Sequence, residues 1–353
     1  MPSSTAWWSE GLSAPPGAEA FAAPGWLAES LNSGWTYRDR VDAGSAGLTV
    51  SAFYAARHRH SGQAAWLERL AAGEIELNGR GLRVDRPLAA GDRLAWHRPP
   101  WREGAVPAGW SVVHDDGDLL VIDKPAGLPV LPAGGWLEHT VLRLLERRHR
   151  NDPAGVPRPV HRLGRFTSGL LVCARARASR AWLSGALRES TAAAGAAAWP
   201  AAGAAGEESP GFHKIYRALL VPGVLDLRPG EACWIGKRIG RRLHRGLGRI
   251  WCAADGSCPG DLMARSRLTL LERRPQADLV QVAIRTGRPH QVRIHCAALG
   301  APLLGDPLYL PGGLAAAQAL PGEGGYRLQA WRLELERPDG ERLRLEASPP
   351  AWL

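Results

Sequence analysis

The stretch that most constrains this chain runs from Pro159 to Arg175 and reads PVHRLGRFTSGLLVCAR. Its first half is a polar loop, HRLGRFTSG (161–169), which carries two arginines. It opens directly into a dense apolar run, Leu170, Leu171, Val172, Cys173 and Ala174. A short apolar run bounded by glycine is the pattern of a fully buried strand. The loop is therefore mounted on the end of a core strand, a rigid place to hold chemistry.

Other elements follow the same logic. The segment 73–98 alternates at Ile75/Leu77, turns at Asn78-Gly79 and alternates again at Leu82/Val84, which predicts a hairpin. A short helix is expected before it, over Ala65 to Ala72. Leu119 to Ile122 reads as a strand that must end in a turn at Lys124-Pro125-Ala126-Gly127. Glu138 to Arg150 and Arg177 to Glu189 read as helices, and Lys214 to Val221 (KIYRALLV) as a strand. Strands are also expected over Arg267–Arg273 and Leu279–Arg285. A helix begins near Pro289 and ends at Gly300, with Val292, Cys296 and Leu299 as its buried stripe. His290 and Arg293 share another of its faces. Two closing strands, 326–338 and 342–347, are joined at Asp339-Gly340. Helices and strands mix without regular alternation, so the fold class is α+β.

The chain has 353 residues, which suggests two domains. We divide it into a loosely ordered arm (1–36), a small domain (37–101), a Pro/Gly-containing linker and a larger domain (110–348). Residues 191–210 form a low-complexity, disordered insertion in that larger domain. The net charge of +10 favours a polyanionic partner, nucleic acid above all. Lysine occurs only at 124, 214 and 237; the rest of the positive charge is arginine, which suits phosphate and base contacts. The most basic run, 235–250, contains Lys237, Arg238, Arg241 and Arg242; such a run is usually a solvated loop, but with the net charge it reads as a phosphate-contacting surface. A second basic patch, Arg57 to His60, is as readily a solvated patch as an RNA contact. The five cysteines include no CxxC pair, so neither a disulfide framework nor a zinc site is expected. No run approaches the roughly 18 apolar residues of a membrane span, and residues 1–36 lack the basic start of a secretory signal. A cytoplasmic protein without a metal or organic cofactor is expected.

Taken in order, KPAGLPV (124–130), HRLGRFTSG, KIYRALL and TGRPHQVRIHCAALGAPLLGD (286–306) resemble the motifs of RNA pseudouridine synthases of the large-subunit rRNA type. The closing YRLQAWRLELERP is similar to that family's terminal strand, and the 37–101 segment resembles the S4 RNA-binding module. The resemblance implies a mixed, largely antiparallel sheet with flanking helices. It also implies isomerisation of a uridine flipped out of structured RNA, rRNA or tRNA; a monomer is expected. Residue by residue, Arg162 matches the arginine that fills the gap left by the base, and Tyr216 the tyrosine that stacks on the uracil. Arg293 matches the arginine that ion-pairs with the catalytic carboxylate. Lys124 and Arg165 are further RNA-contact candidates.

In the HRLD-x-x-TSG signature of that family the catalytic Asp falls at Gly164, which offers no side chain. The catalytic oxygen is therefore unassigned. Either it comes from elsewhere, or the chain is a non-catalytic RNA-binding protein that keeps the fold, for example in ribosome assembly. If Arg293 is buried it requires another anion, an RNA phosphate or a carboxylate such as Asp306. A hydrolase using Ser168 and His161 is a poor third reading, because no nucleophile-elbow GxSxG is present.

Overall fold

A computed structural model describes residues 25–58, 60–196, 213–246, 248–284, 286–319 and 325–353. The described residues divide into two compact units, one within 29–103 and 243–249 and the other made of the rest.

In the smaller unit, strands β1 (Trp35–Arg40), β2 (Ile75–Leu77), β3 (Arg80–Leu82) and β4 (Arg93–Arg98) form one antiparallel sheet in the order β1-β4-β2-β3. The β2–β3 hairpin turns at the expected dipeptide. Asn78 (φ 52°) and Gly79 (φ 80°) both lie in the left-handed region, as a two-residue hairpin loop requires. Helices α1 (Val50–Arg57) and α2 (Gln63–Ala71) complete the unit, and α1 was not expected from the sequence. The core is aromatic: Tyr54 stacks on Trp66 at 4.6 Å and Tyr37 on Trp96 at 5.0 Å, while Arg69 lies 4.2 Å over the Trp66 ring. His58 belongs to that aromatic cluster rather than to a basic surface. Arg57 is ion-paired with Asp39, and Arg59 lies outside the described residues.

The larger unit is built on one mixed sheet, ten strands among the described residues. Its main strands are β5 (Ser111–Asp115), β6 (Leu119–Lys124), β7 (Thr167–Ala174), β8 (His213–Leu220) and β9 (Ala232–Ile235). Further along the chain come β10 (Ser266–Arg273), β11 (Asp278–Ile284), β12 (Leu328–Glu336) and β13 (Arg342–Glu346). The order is β9-β10-β11-β8-β12-β7-β6-β5, with β13 also on β12, and all these pairs are antiparallel except β7 with β12. That parallel pair, Thr167–Gly169 against Leu328–Ala330, brings the HRLGRFTSG loop beside the start of the closing strand. Gly169 (φ 100°) is required there, since a Cβ would overlap the Ala330 backbone.

The apolar run behaves as its composition demands. Leu171 and Cys173 enter one buried cluster, Leu170, Val172 and Ala174 another, so β7 is covered on both faces. Helices α3 (Val141–Arg148), α4 (Arg177–Ala196) and α5 (Gln291–Ala298) flank the sheet. Helix α5 is buried from Gln291 through Ala297, whereas Leu299 of its expected stripe is 36% exposed.

Three further expectations need correction. Residues 26–36 are not a loose arm: Trp26–Leu27 pairs with Val106–Pro107, Ser30–Leu31 pairs with Arg102–Glu103, and Trp35 opens β1. These pairs also give strand structure to part of the presumed linker. Residues 191–196 are the last turns of α4 rather than a disordered segment, while 1–24 and 197–212 lie outside the described residues. The basic run is not a loop but two paired strands, Arg238–His244 and Gly248–Ala254.

Candidate active site

The loop ahead of β7 is held at both ends. At its start, His161 Nε2 accepts the Val172 N–H at 3.1 Å, which fixes a neutral ring with its proton on Nδ1. Burial, with Lys214 nearby, pushes its pKa down to about 3. At its end, Thr167 N donates to Gly164 O at 3.1 Å and closes a turn over Arg165 and Phe166.

Lys124 ties the KPAGLPV turn to this loop. Its side chain is fully buried, and Nζ donates to the carbonyls of Pro125 (2.7 Å), Leu128 (2.9 Å) and Arg165 (3.1 Å). Three acceptors match the three protons of an ammonium group. Burial, followed by repulsion from Arg165, nonetheless lowers its pKa to about 7. Lys124 is therefore a structural clamp and not the RNA-facing residue the sequence suggested. Arg165 completes the clamp: Nε donates to Gly127 O at 3.0 Å, and the guanidinium covers Trp136 at 4.3 Å.

Gly164 is exposed, but the space beside its Cα is occupied. A Cβ built there would lie 2.5 Å from Tyr326 Oη and 3.2 Å from Thr167 Oγ1. Tyr326 is 4% exposed and precedes β12 directly. Its hydroxyl sits 3.4 Å from Thr167 Oγ1, and its ring lies 4.2 Å under the Arg293 guanidinium.

Arg293 does have an anionic partner. Nε and Nη2 each donate to one oxygen of Asp306 at 2.7 Å, and both side chains are essentially inaccessible, at 4% and 0%. Asp306 Oδ1 also accepts the Leu308 and Tyr309 N–H groups at 2.9 and 3.3 Å. Burial opposes the arginine's charge, but these hydrogen bonds outweigh it and hold the pKa of Arg293 above its ordinary value. The carboxylate so engaged has no free face to offer a substrate.

Tyr216 lies at the centre of β8, between Val282 and Ala330. The register to β12 jumps there from Ile215–Arg332 to Tyr216–Ala330, leaving Trp331 as a bulge. Tyr216 and Tyr326 belong to one buried cluster, and burial raises the Tyr216 pKa to about 12. Gly164 and Arg293 thus meet on Tyr326, with Tyr216 on the strand next to it. Arg162 is exposed on the same loop. His290, the residue before α5, adopts a left-handed conformation (φ 55°) and bonds Tyr309 Oη through Nδ1 at 2.7 Å. Tyr309 Oη in turn donates to Trp251 O at 2.9 Å, so the His290 proton sits on Nδ1. Burial, then Arg293 and Arg162, lowers the His290 pKa to about 3.

Two arginines of the basic strands are committed within the protein. Arg242 makes a bidentate pair with Asp261 at 2.7 and 2.8 Å, and Arg238 donates to the Asp261 carbonyl at 3.2 Å. Lys237 and Arg241 are exposed. Among the described residues no cluster of His, Cys, Asp and Glu could hold a metal, and no helix is long and apolar enough to cross a membrane. Among the described residues Ser168 Oγ has no hydrogen-bond partner, and His161 Nε2 is taken by Val172, which removes the hydrolase reading.

Sequence reasoning missed Tyr326 and Lys214, a half-buried lysine whose pKa desolvation lowers to about 8. Only the long-range pairing of β7 with β12 puts Tyr326 at the loop, 159 residues from Thr167.

Residues 118–194 match the family model described as RNA pseudouridylate synthase. An uncharacterised RNA pseudouridine synthase of Synechocystis is 40% identical over 80% of this chain and 87% of its own length. RNA pseudouridine synthase 5 of Arabidopsis thaliana is 34% identical over 86% and 89%. The chain belongs to the RNA pseudouridine synthase family. A more distant member, ribosomal large subunit pseudouridine synthase D of Nitrosomonas europaea, is 32% identical over 67% of this chain and 61% of its own. Among solved structures, human RNA Pseudouridylate Synthase Domain Containing 1 aligns with a TM-score of 0.49 at 22% identity, over 69% of this chain and 84% of that one.

Proposed function

We propose that this synthase isomerises a flipped-out uridine in structured RNA, with Gly164 at the floor of the base-and-sugar site. The observation that carries this reading is the layered arrangement under the loop: an exposed Gly164, the Tyr326 hydroxyl beneath it and the buried Arg293–Asp306 pair beneath that. Arg162 fills the gap in the RNA and Tyr216 stacks on the uracil, which must leave the helix to be reached. The S4-like small unit and the exposed Lys237 and Arg241 supply the sequence-independent grip on phosphates. The protein acts as a monomer in the cytoplasm and needs no cofactor. In this reading Gly164 replaces the family's catalytic Asp.

A second reading is favoured by one specific feature. Among the described residues the carboxylate paired with Arg293 is Asp306, which is sealed and engaged by Arg293 and by two backbone N–H groups. A protein that binds and clamps RNA without chemistry would look the same at this position. The two readings part on tritium release from a large-subunit rRNA transcript carrying 5-tritiated uridine. Release above the no-enzyme level by the wild type supports the synthase; retention of all label by RNA that is nevertheless bound supports the clamp.

A further inference from the structure

We propose that Tyr326 supplies the reactive oxygen of this site, its Oη taking the place of the side chain that Gly164 lacks. The proposal rests on the uridine-isomerising reading above. Its physical basis is a steric exclusion between the two positions. A Cβ at 164 would stand 2.5 Å from Tyr326 Oη, well inside van der Waals contact, so a side chain there and the hydroxyl cannot coexist unmoved. The glycine is not demanded by its backbone, for Gly164 is absent from the left-handed residues. What demands it is the hydroxyl.

The surroundings hold that oxygen in place. Phe166 meets the Tyr326 ring edge-on at 6.1 Å, Thr167 Oγ1 lies 3.4 Å from Oη, and the Arg293 guanidinium covers the ring at 4.2 Å. A guanidinium over an aromatic face is held there by cation–π attraction. Asp306 fixes that cation from behind, through two hydrogen bonds. Gly164 itself is exposed, and the direction in which its missing side chain would point leads to Oη. Tyrosine is an established nucleophile at glycosidic carbon in sialidases.

The step balances without a co-reactant. Oη attacks the ribosyl C1′ as the N1–C1′ bond breaks, its electron pair leaving with the uracil, and the phenolic proton passes to N1. The uracil turns, and its C5 attacks C1′, expelling Oη with the bonding pair. That phenolate then takes the proton from C5, which restores Tyr326 and leaves a C5–C1′ bond.

The test compares wild type, Tyr326→Phe and the Tyr326→Phe/Gly164→Asp double variant on the 5-tritiated rRNA transcript, with filter retention of the same RNA measured in parallel. Removing one oxygen should lower release at least about 100-fold with RNA retention unchanged. The double variant, in which a carboxylate enters the space the hydroxyl vacates, should recover release at least about tenfold over Tyr326→Phe. Release by Tyr326→Phe within about threefold of the wild type would mean that the ring only fills space, and would overturn the proposal while leaving the synthase reading intact. No release by the wild type would overturn both.

Discussion

Two arginine–aspartate forks in this protein have the same geometry and different surroundings. Arg293–Asp306 and Arg242–Asp261 are each closed by two hydrogen bonds of 2.7–2.8 Å. The first pair is sealed, at 4% and 0% exposure; in the second the arginine is 29% exposed. A sealed pair needs further hydrogen bonds beside its partner, here to Oδ1 from the Leu308 and Tyr309 N–H groups. In the half-open pair Asp261 also accepts the Gly256 and Cys258 N–H groups. The first can orient a neighbour with little freedom, and its neighbour is Tyr326. The second anchors a basic strand and consumes a charge that the sequence offered to RNA.

The largest effect should come from breaking the sealed fork. Arg293→Ala strands Asp306 without its partner, and urea unfolding should show a loss of about 3–5 kcal/mol. Arg242→Ala should cost clearly less in the same experiment; equal losses would erase the distinction between the forks.

Next comes the Lys124 clamp, a sealed cation with carbonyls in place of a carboxylate. Lys124→Met leaves three acceptors unmet and should cost on the order of 2–3 kcal/mol. Its pH dependence has a definite sign. The folded-state pKa is lowered to about 7, whereas the unfolded chain keeps the proton to about 10.4. Between these values the unfolded state binds more protons, so this residue's contribution to stability grows as pH rises. The wild-type minus Lys124→Met difference should therefore widen from pH 7 towards pH 9.

These two residues also show where the sequence was legible. The buried β7, the Asn78-Gly79 hairpin and most strands of the larger sheet follow from local pattern, because alternation and turn chemistry are properties of neighbouring residues. Lys124 was misplaced because a charge at a strand end is ordinarily solvated, and only a loop 41 residues away supplies one of its acceptors. Residues 191–196 were misread because an alanine-rich tract looks featureless although alanine is the best helix former. Tyr326 could not be placed at Gly164, since the parallel contact of β7 and β12 leaves no local mark. Asp306 was visible as a candidate because it follows α5 closely, and its fork with Arg293 is what the burial argument required.

A third effect concerns imidazoles that the fold holds neutral. His161, His290 and His295 are held neutral, with burial lowering them to about 3, 3 and 4. The unfolded forms take up protons from about pH 6.5 downward, so stability should fall as pH drops from 6.5 towards 4. Each contributes a slope of up to about 1.4 kcal/mol per pH unit. His295 donates from Nε2 to Lys237 O and accepts from Ser266 at Nδ1. His295→Gln should therefore remove about one such slope from the acid limb of a pH–stability curve.

The smallest effect concerns RNA. Arg241→Ala, at an exposed position, should weaken binding severalfold and reduce the slope of log K against log salt by about one. Arg242→Ala should change that slope less, since Asp261 already neutralises it.

The central claim is that this chain carries out the isomerisation although residue 164 offers no carboxylate. Carbodiimide-adduct mapping of large-subunit rRNA after incubation with the purified protein tests it most directly. The account predicts at least one new reverse-transcription stop with the wild type that is missing with Tyr326→Phe. Tight binding of that RNA with no new stop anywhere along it would contradict the account.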